Sequence, residues 1–327
     1  MCPYLDNLSF GPEIENPEDV LMNNSWFLTN QFLLEVIFHN RMKRYECLTN
    51  DSSIASAVFV PFYVGLDMSL YLWGFNITER DSASLALVKW LSEKPEWKRM
   101  WGRDHFLVAG RIAWDFRRQS DNESDWGSKL RFLPESKNMS MLSIESSSWN
   151  NDYAIPYPTC FHPSKDSEIF QWQDRMRRQK RRYLFSFAGA PRPEYQNSIR
   201  GKIIDQCLAS KNQCKLLDCN YGATNCDNPV NDLGEWKINL NETLLRIPED
   251  RISALREEVI KLIPRVVYAG SRSRSETLED SFDLAVKGIL ERIKSVRGMI
   301  REGKDSSIGF ADGDDYKYTF PPYGDGI

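Results

Sequence analysis

The chain reads as an α/β protein built on parallel sheets, with a second half that abandons the pattern partway. Three observations predict this. Short apolar runs alternate with amphipathic helical stretches between Ala57 and Ser146. The alternation restarts at YLFSFAG, residues 183–189, and CKLLDC, residues 214–219. It then stops, and from Pro248 onward the sequence reads as helix.

Each element follows from its local pattern. Glu18 to Leu48 predicts a mostly helical segment, because Phe32, Leu33, Val36, Ile37 and Met42 fall near a 3.6-residue spacing. AVFVPFYVG (57–65) predicts a buried strand running into a loop. Ser82 to Trp101 predicts a second helix, followed by strands at HFLVAG (105–110) and MSMLSIES (139–146). Strand, helix and strand at this spacing imply crossover connections and hence a parallel sheet. In the second half a helix from Ser198 to Leu208 joins two strands; ISALREEVIKLI and Ser275 to Arg301 then predict two helices. The end, with DGDDYKYTFPPYGDGI, reads as a loose tail. Its Asp312-Gly-Asp314 imitates an Asp-x-Asp metal motif but follows no strand, so no metal site is assigned. Two strands do not make a stable parallel sheet covered on both faces. The second domain is therefore expected to lack its centre, with the break inside NCDNPVNDLGEWKINLNET, residues 225–243.

The bulk numbers bound the function. A length of 327 residues allows two domains of ordinary size. A hydrophobic content of 41% and a charged content of 27% suit a soluble globular protein. The net charge of −4 gives no general attraction for nucleic acid or anionic lipid. The basic run Arg175, Arg177, Arg178, Lys180, Arg181 and Arg182 reads as a solvated helix face, with a nuclear-localisation signal as the alternative. Asn-x-Ser/Thr sequons at Asn7, Asn23, Asn50, Asn76, Asn122, Asn138 and Asn241 point to the secretory lumen. Cys207, Cys214, Cys219 and Cys226 cluster without a Cys-x-x-Cys or a nearby His, which favours local disulfides over zinc. Cys2, Cys47 and Cys160 make the total odd. No run of 18 apolar residues and no signal peptide is present. With the sequons, this gives the expectation that Met1 is not the start of the parent protein.

Several segments resemble one family. They are TNQFLLEVIFHNRMKRYECLTNDSSIASAVFVPFYVGLD, RDHFLVAGRIAWDFRR, SEIFQWQDRMRRQKRRYLFSFAGAPRP with SIRGKIIDQC, and LREEVIKLIPRVVYA. Together they resemble the plant exostosin-like glycosyltransferases of the xyloglucan galactosyltransferase group. The resemblance implies a GT-B fold of two Rossmann-like domains, the second incomplete here. It sets an acceptor-side domain at residues 1–178, a nucleotide-sugar domain at 179–302 and a disordered tail at 303–327. It implies an inverting, metal-independent transfer of galactose from UDP-galactose to xylosyl side chains of xyloglucan. Related galacturonosyl or arabinopyranosyl transfer is the alternative, as is a catalytically silent form that binds glycan or enzyme. It also implies a Golgi type II membrane protein whose anchor is absent from this chain, with room for complexes with other Golgi transferases. Two departures are expected: the family's tail, anchor, stem and first strand precede anything aligned here, and a segment like SSxFCLQPxGDSxTRRSxFDSxLAGCIPVFF is missing after Asn231.

An inverting transferase needs a general base at the acceptor hydroxyl and charge stabilisation on the departing diphosphate. Asp115 in RIAWDFRR follows a strand and is the favoured base, against an Arg-paired structural carboxylate. His105, at the start of that strand, is the second candidate, against a satisfied structural histidine. Glu35 and His39 lie four apart on a helix and read as cleft residues or, more simply, as core or interdomain contacts. On the donor side, Gly189, Arg192, Ser198 and Arg200 border a turn between strand and helix, where backbone N–H groups attract phosphate. For the acceptor, Tyr63, Asp67 and Trp73 follow the first strand, at the sheet end that faces a cleft in α/β folds. No cofactor or metal is expected.

Overall fold

The computed structural model describes residues 2–14, 25–72, 74–145, 147, 149, 151–180, 182–189, 199–218, 247–270 and 277–304. The chain divides into two compact units, Met1–Ile169 with Pro264–Ile327, and Phe170–Ile263.

The first unit is built on four parallel strands in the order β1 (Val58–Phe59), β2 (His105–Val108), β3 (Ser140–Ser143) and β4 (Asp152–Ala154). Alternation along the strands sorts side chains to two faces. Phe106, Val108 and Leu142 join one core with Leu34, Ile37 and Phe38 of helix α1 (Leu34–Met42). Leu107, Ala109 and Met141 join a second core with Val64, Met68 and Leu72 from α2 (Val64–Tyr71) and its C-cap, Val88 and Leu91 of α3 (Ile77–Ser92), and Trp97 of α4 (Pro95–Met100). Helices on both faces are what an all-parallel sheet requires.

Local chemistry sets the element ends, and it corrects the sequence expectation in several places. Of the long helix expected over Glu18–Leu48, residues 18–24 lie outside the described residues; over 25–48 the α-helix is the nine-residue α1, because Asn30 accepts the Phe32 N–H at 2.9 Å and starts the turn. Ahead of it Phe27 pairs with Glu13 in a β-bridge. The strand expected across AVFVPFYVG is two residues long. Pro61 has no N–H to continue the ladder, so Val60, bonded to Phe106 at 2.9 Å, ends it. The helix expected over Ser82–Trp101 is two helices; Lys94 is held extended before Pro95. Asn76 and Glu79 cap α3 reciprocally. The three-residue β4 carries no apolar run to announce it.

The last helix, α8, spans Ser281–Arg301. The sequence reading put it in the C-terminal domain. In the structure its apolar stripe, Phe282, Ala285, Val286, Ile289 and Ile293, packs into the same core as Phe38 and Phe106. Its N-cap Asp280 ties it there, accepting from Ala269 N at 2.8 Å and pairing with Arg41 of α1 at 3.2 Å.

The second unit holds most of α5 (Asp166–Arg178), then β5 (Phe185–Gly189), α6 (Ile199–Ala209), β6 (Cys214–Asp218) and α7 (Glu249–Lys261). β5 and β6 pair in parallel from Phe185 with Cys214 to Gly189 with Asp218. Among the described residues this sheet has two strands. A Cys207–Cys214 disulfide joins the end of α6 to the start of β6; Cys219 and Cys226 lie outside the described residues. Arg177 grips Glu257 with two nitrogens, joining α5 to α7. The expected tail lies almost wholly outside the described residues. Among those described, no helix is long and apolar enough to cross a membrane.

Behind β3 and β4 sits a buried charged cluster. Asp152 accepts from Arg131 at 2.7 Å and from Arg117, and both guanidinium groups lie over the Trp149 ring. Removing the carboxylate leaves two buried cations unpaired. Asp152→Ala is expected to lower stability by about 3–5 kcal/mol, read as a drop in the denaturation midpoint; Asp152→Asn should lose less, since it keeps an acceptor.

Candidate active site

In a parallel sheet, ligands gather where the strands end. The loops after β1 and β2 meet there around one carboxylate. Glu35, in the first turn of α1, is 1% exposed. Its Oε1 accepts from Gly65 N at 2.6 Å and Gly110 N at 2.8 Å, and its Oε2 from Leu66 N at 3.3 Å. The glycines are obligatory for this approach. A Cβ on Gly65 would lie 2.7 Å from Glu35 Oε1, and one on Gly110 would lie 2.9 Å from the Phe32 carbonyl. Burial pushes the Glu35 carboxyl up, against the opposing pull of the three N–H groups and Arg111, to about 7.

From this node the site extends in two directions. Tyr63, just ahead of α2, has its hydroxyl 2.6 Å from His39 Nδ1, one turn along α1 from Glu35. His39 also lies against Phe59, the last residue of β1. Burial, then the Lys43 charge, holds the imidazole below its ordinary pKa. Burial, then the Glu35 charge, holds the Tyr63 phenol above its own. Asp67, in the first turn of α2, is half-buried, and burial raises its carboxyl. In the other direction, Arg111 donates through Nε to Asp115 Oδ2 at 2.7 Å and through Nη1 to Ser69 Oγ at 3.1 Å. Trp126 Nε1 donates to the other Asp115 oxygen at 2.7 Å. Gly127, at φ +85°, lets this loop close: a Cβ there would be 2.3 Å from the Asp115 carbonyl. Trp126 also borders a cavity of about 540 Å³ shared with Phe75, Asn76, Glu79, Arg80 and Glu123.

The structure thus brings Tyr63, Asp67 and Asp115 to one edge. It places Asp115 in the Arg-paired arrangement, each oxygen holding a donor. Arg117 and Arg118, its neighbours in sequence, turn away to Asp152 and Asp81. His105 is not brought to this edge. As the first residue of β2 it sits at the opposite end of the sheet, buried, with Nδ1 2.8 Å from Asp104 Oδ1 and its ring against Trp97. Trp73, Arg192 and Ser198 lie outside the described residues. Gly189 ends β5 and Arg200 stands in the first turn of α6, both in the second unit. Among the described residues no group of His, Cys, Asp or Glu could hold a metal ion. Sequence reasoning missed Arg111 and gave Glu35 no defined role. The available signal was an acidic residue inside an apolar helix stripe, together with a glycine after each of two strands.

Glu35 makes a testable pH signature. Its folded pKa, about 7, stands above the ordinary 4.5. Between those values the folded chain holds a proton that the unfolded chain has released, so stability falls as pH rises through that window. Glu35→Gln keeps the Oε1 acceptor and is expected to flatten this contribution, seen as the difference between the two pH–stability curves. Glu35→Ala strands two buried N–H groups and should lose about 2–5 kcal/mol at every pH.

The exostosin GT47 domain matches residues 5–265. The chain is 59% identical over 387 aligned positions to the probable xyloglucan galactosyltransferase GT14 of Arabidopsis thaliana, covering 99% of this chain and 74% of that one. It is 45% identical to xyloglucan galactosyltransferase MUR3 of the same plant, covering 98% and 62%. It is 42% identical over 230 positions to xyloglucan-specific galacturonosyltransferase 1, also from Arabidopsis thaliana, covering 69% and 33%. The first alignment spans 387 positions against 327 residues, so at least 60 positions of that relative face gaps in this chain. The galacturonosyltransferase alignment, 230 positions for 69% of the chain, has almost no room for gaps. No solved structure matches. With a domain match over most of its length and relatives this similar along nearly all of it, the chain belongs to the exostosin GT47 family.

Proposed function

We propose that this chain transfers galactose from UDP-galactose to xylosyl side chains of xyloglucan, with inversion at the sugar carbon and without a metal ion. The observation that carries the reading is its 59% identity, over 99% of its length, to a probable xyloglucan galactosyltransferase. The geometry supports a GT-B division of labour. The strand ends of the first unit offer what a neutral polysaccharide needs: aromatic surface at Tyr63 and Trp126, and hydroxyl-reading groups at Asp67 and His39. The second unit offers the end of β5 at Gly189 and the first turn of α6 with Arg200, a place where helix N–H groups and a cation favour a diphosphate. The positions facing gaps in this chain shorten the donor half in this reading, so donor affinity is the property most reduced. Asn7, Asn50, Asn76 and Asn122 are exposed, as glycan acceptors must be, and a Golgi lumenal setting follows from the same reading.

Galacturonic acid is the second sugar to test, because the chain aligns almost without gaps to a xyloglucan-specific galacturonosyltransferase over 69% of its length. Release of UDP by the purified chain is expected with UDP-galactose and xyloglucan oligosaccharide together, at least about tenfold above either alone, the excess an acceptor-dependent chemical step should give. Preference for UDP-galacturonic acid would move the reading to the second sugar. Glycan binding without turnover by either donor would make this chain a silent binder.

A further inference from the structure

We propose that His39 is the general base that takes the proton of the acceptor hydroxyl, with Tyr63 holding its ring in the productive tautomer; this rests on the glycosyl-transfer reading above.

The argument begins with access. Four other acid–base candidates of the first unit are closed off, which leaves half-buried Asp67 as the rival at this edge. Glu35 is 1% exposed and filled with backbone donors. Asp115 is 5% exposed and held by Arg111 and Trp126. His105 is buried at the far end of the sheet. His162 is buried with both ring nitrogens engaged, Nδ1 2.7 Å from the Tyr268 carbonyl and Nε2 2.8 Å from Thr29 Oγ1. His39 differs. It is partly exposed at the end of β1, its Nδ1 is engaged by Tyr63, and its Nε2 has no partner among the described residues.

The chemistry follows from which nitrogen holds the proton. When Nδ1–H donates to the Tyr63 oxygen, Nε2 presents a lone pair. Nε2 takes the proton of the acceptor hydroxyl while that oxygen bonds to the donor's anomeric carbon. The bond from that carbon to the diphosphate breaks, and the electron pair leaves with UDP. The resulting imidazolium keeps its Nδ1–H bond to Tyr63 and returns its extra proton to solvent. The groups facing the ring fit a neutral base. Tyr63 reaches it from the loop after β1, Phe59 packs from the strand, and Lys43 on the same helix disfavours the charged ring. Glu35, also on that helix, acts on Tyr63 rather than on His39.

The chain has three histidines, so ¹⁵N-imidazole spectra of the full chain assign His39 by its disappearance in His39→Gln. The Nδ1–H tautomer is expected, with its resonances moving when a xyloglucan oligosaccharide saturates the protein. In turnover, His39→Gln and His39→Asn are expected to lower kcat by about 10²–10⁴-fold with acceptor KM changed only slightly. The second variant keeps an amide toward Tyr63 and so controls for folding. Tyr63→Phe should lower kcat less and move the acidic limb of the kcat profile. An Nε2–H tautomer, unmoved resonances with oligosaccharide bound, or kcat within threefold of the parent overturns the proposal. So does loss of turnover in Asp67→Asn with His39→Gln unaffected. Oligosaccharide binding without UDP release from UDP-galactose sinks the galactosyl reading alone, because the imidazole spectra still decide His39. Absence of oligosaccharide binding sinks both.

Discussion

The geometry of this protein's working edge depends on one buried carboxylate accepting the backbone N–H groups of two loops. The first turn of a helix and the end of a parallel strand both leave N–H groups without a backbone partner, and water cannot reach those that stay buried. Glu35 meets that need for Gly65, Leu66 and Gly110 at once. The loops after β1 and β2 are thereby drawn to a common point, so close that neither glycine has room for a side chain. Tyr63 and Asp67 are placed by the first loop, Arg111 and Asp115 by the second. Glu35 sets where the two loops meet, and the contacts of Tyr63, Arg111 and Asp115 then orient their side chains.

A carboxylate suits this place better than an amide. Its oxygens offer four lone-pair sites, whereas a glutamine offers one acceptor oxygen. The shorter pair of bonds falls on Oε1 and the long one on Oε2, so a proton fits on Oε2 without disturbing the Gly65 and Gly110 contacts. The node thus holds the loops in either charge state. Arg111 carries the constraint outward, shared between Ser69 on α2 and Asp115, with its guanidinium over Phe32. Asp115 passes it to Trp126. The chain of contacts is polar throughout, which fixes directions as apolar packing does not.

Much of the fold was legible because it rests on periodicity. HFLVAG, MSMLSIES, YLFSFAG and CKLLDC are strands because apolar side chains pack on them; the helix over residues 281–301 carries its stripe in the sequence. What was not legible depended on partners distant in sequence. The stripe of α8 announces a helix but not which sheet it covers; Arg41 and the Ala269 N–H decide that. β4 is a strand because it pairs with Met141 to Ser143, not because of what it contains. The site divides the same way. Tyr63, Asp67 and Asp115 follow strands and could be read from that alone. Glu35 and His39 precede the first strand, and only the closed sheet shows that they serve the ends of β1 and β2. His105 follows from direction: position in the strand gave the residue, but its entrance and exit are chemically opposite ends of a parallel sheet.

The break read in the sequence and the edge around Glu35 are separable for a structural reason. Every contact that builds the edge joins residues between Phe32 and Trp126. The break read in the sequence falls beyond Asn225, after both strands described in the second unit. No hydrogen bond of the Glu35 node, the His39–Tyr63 pair or the Asp115 turn crosses that point. This polar network lies wholly ahead of the break expected from the sequence. The Glu35 network and the β5–β6 pair are thus built from different stretches of chain.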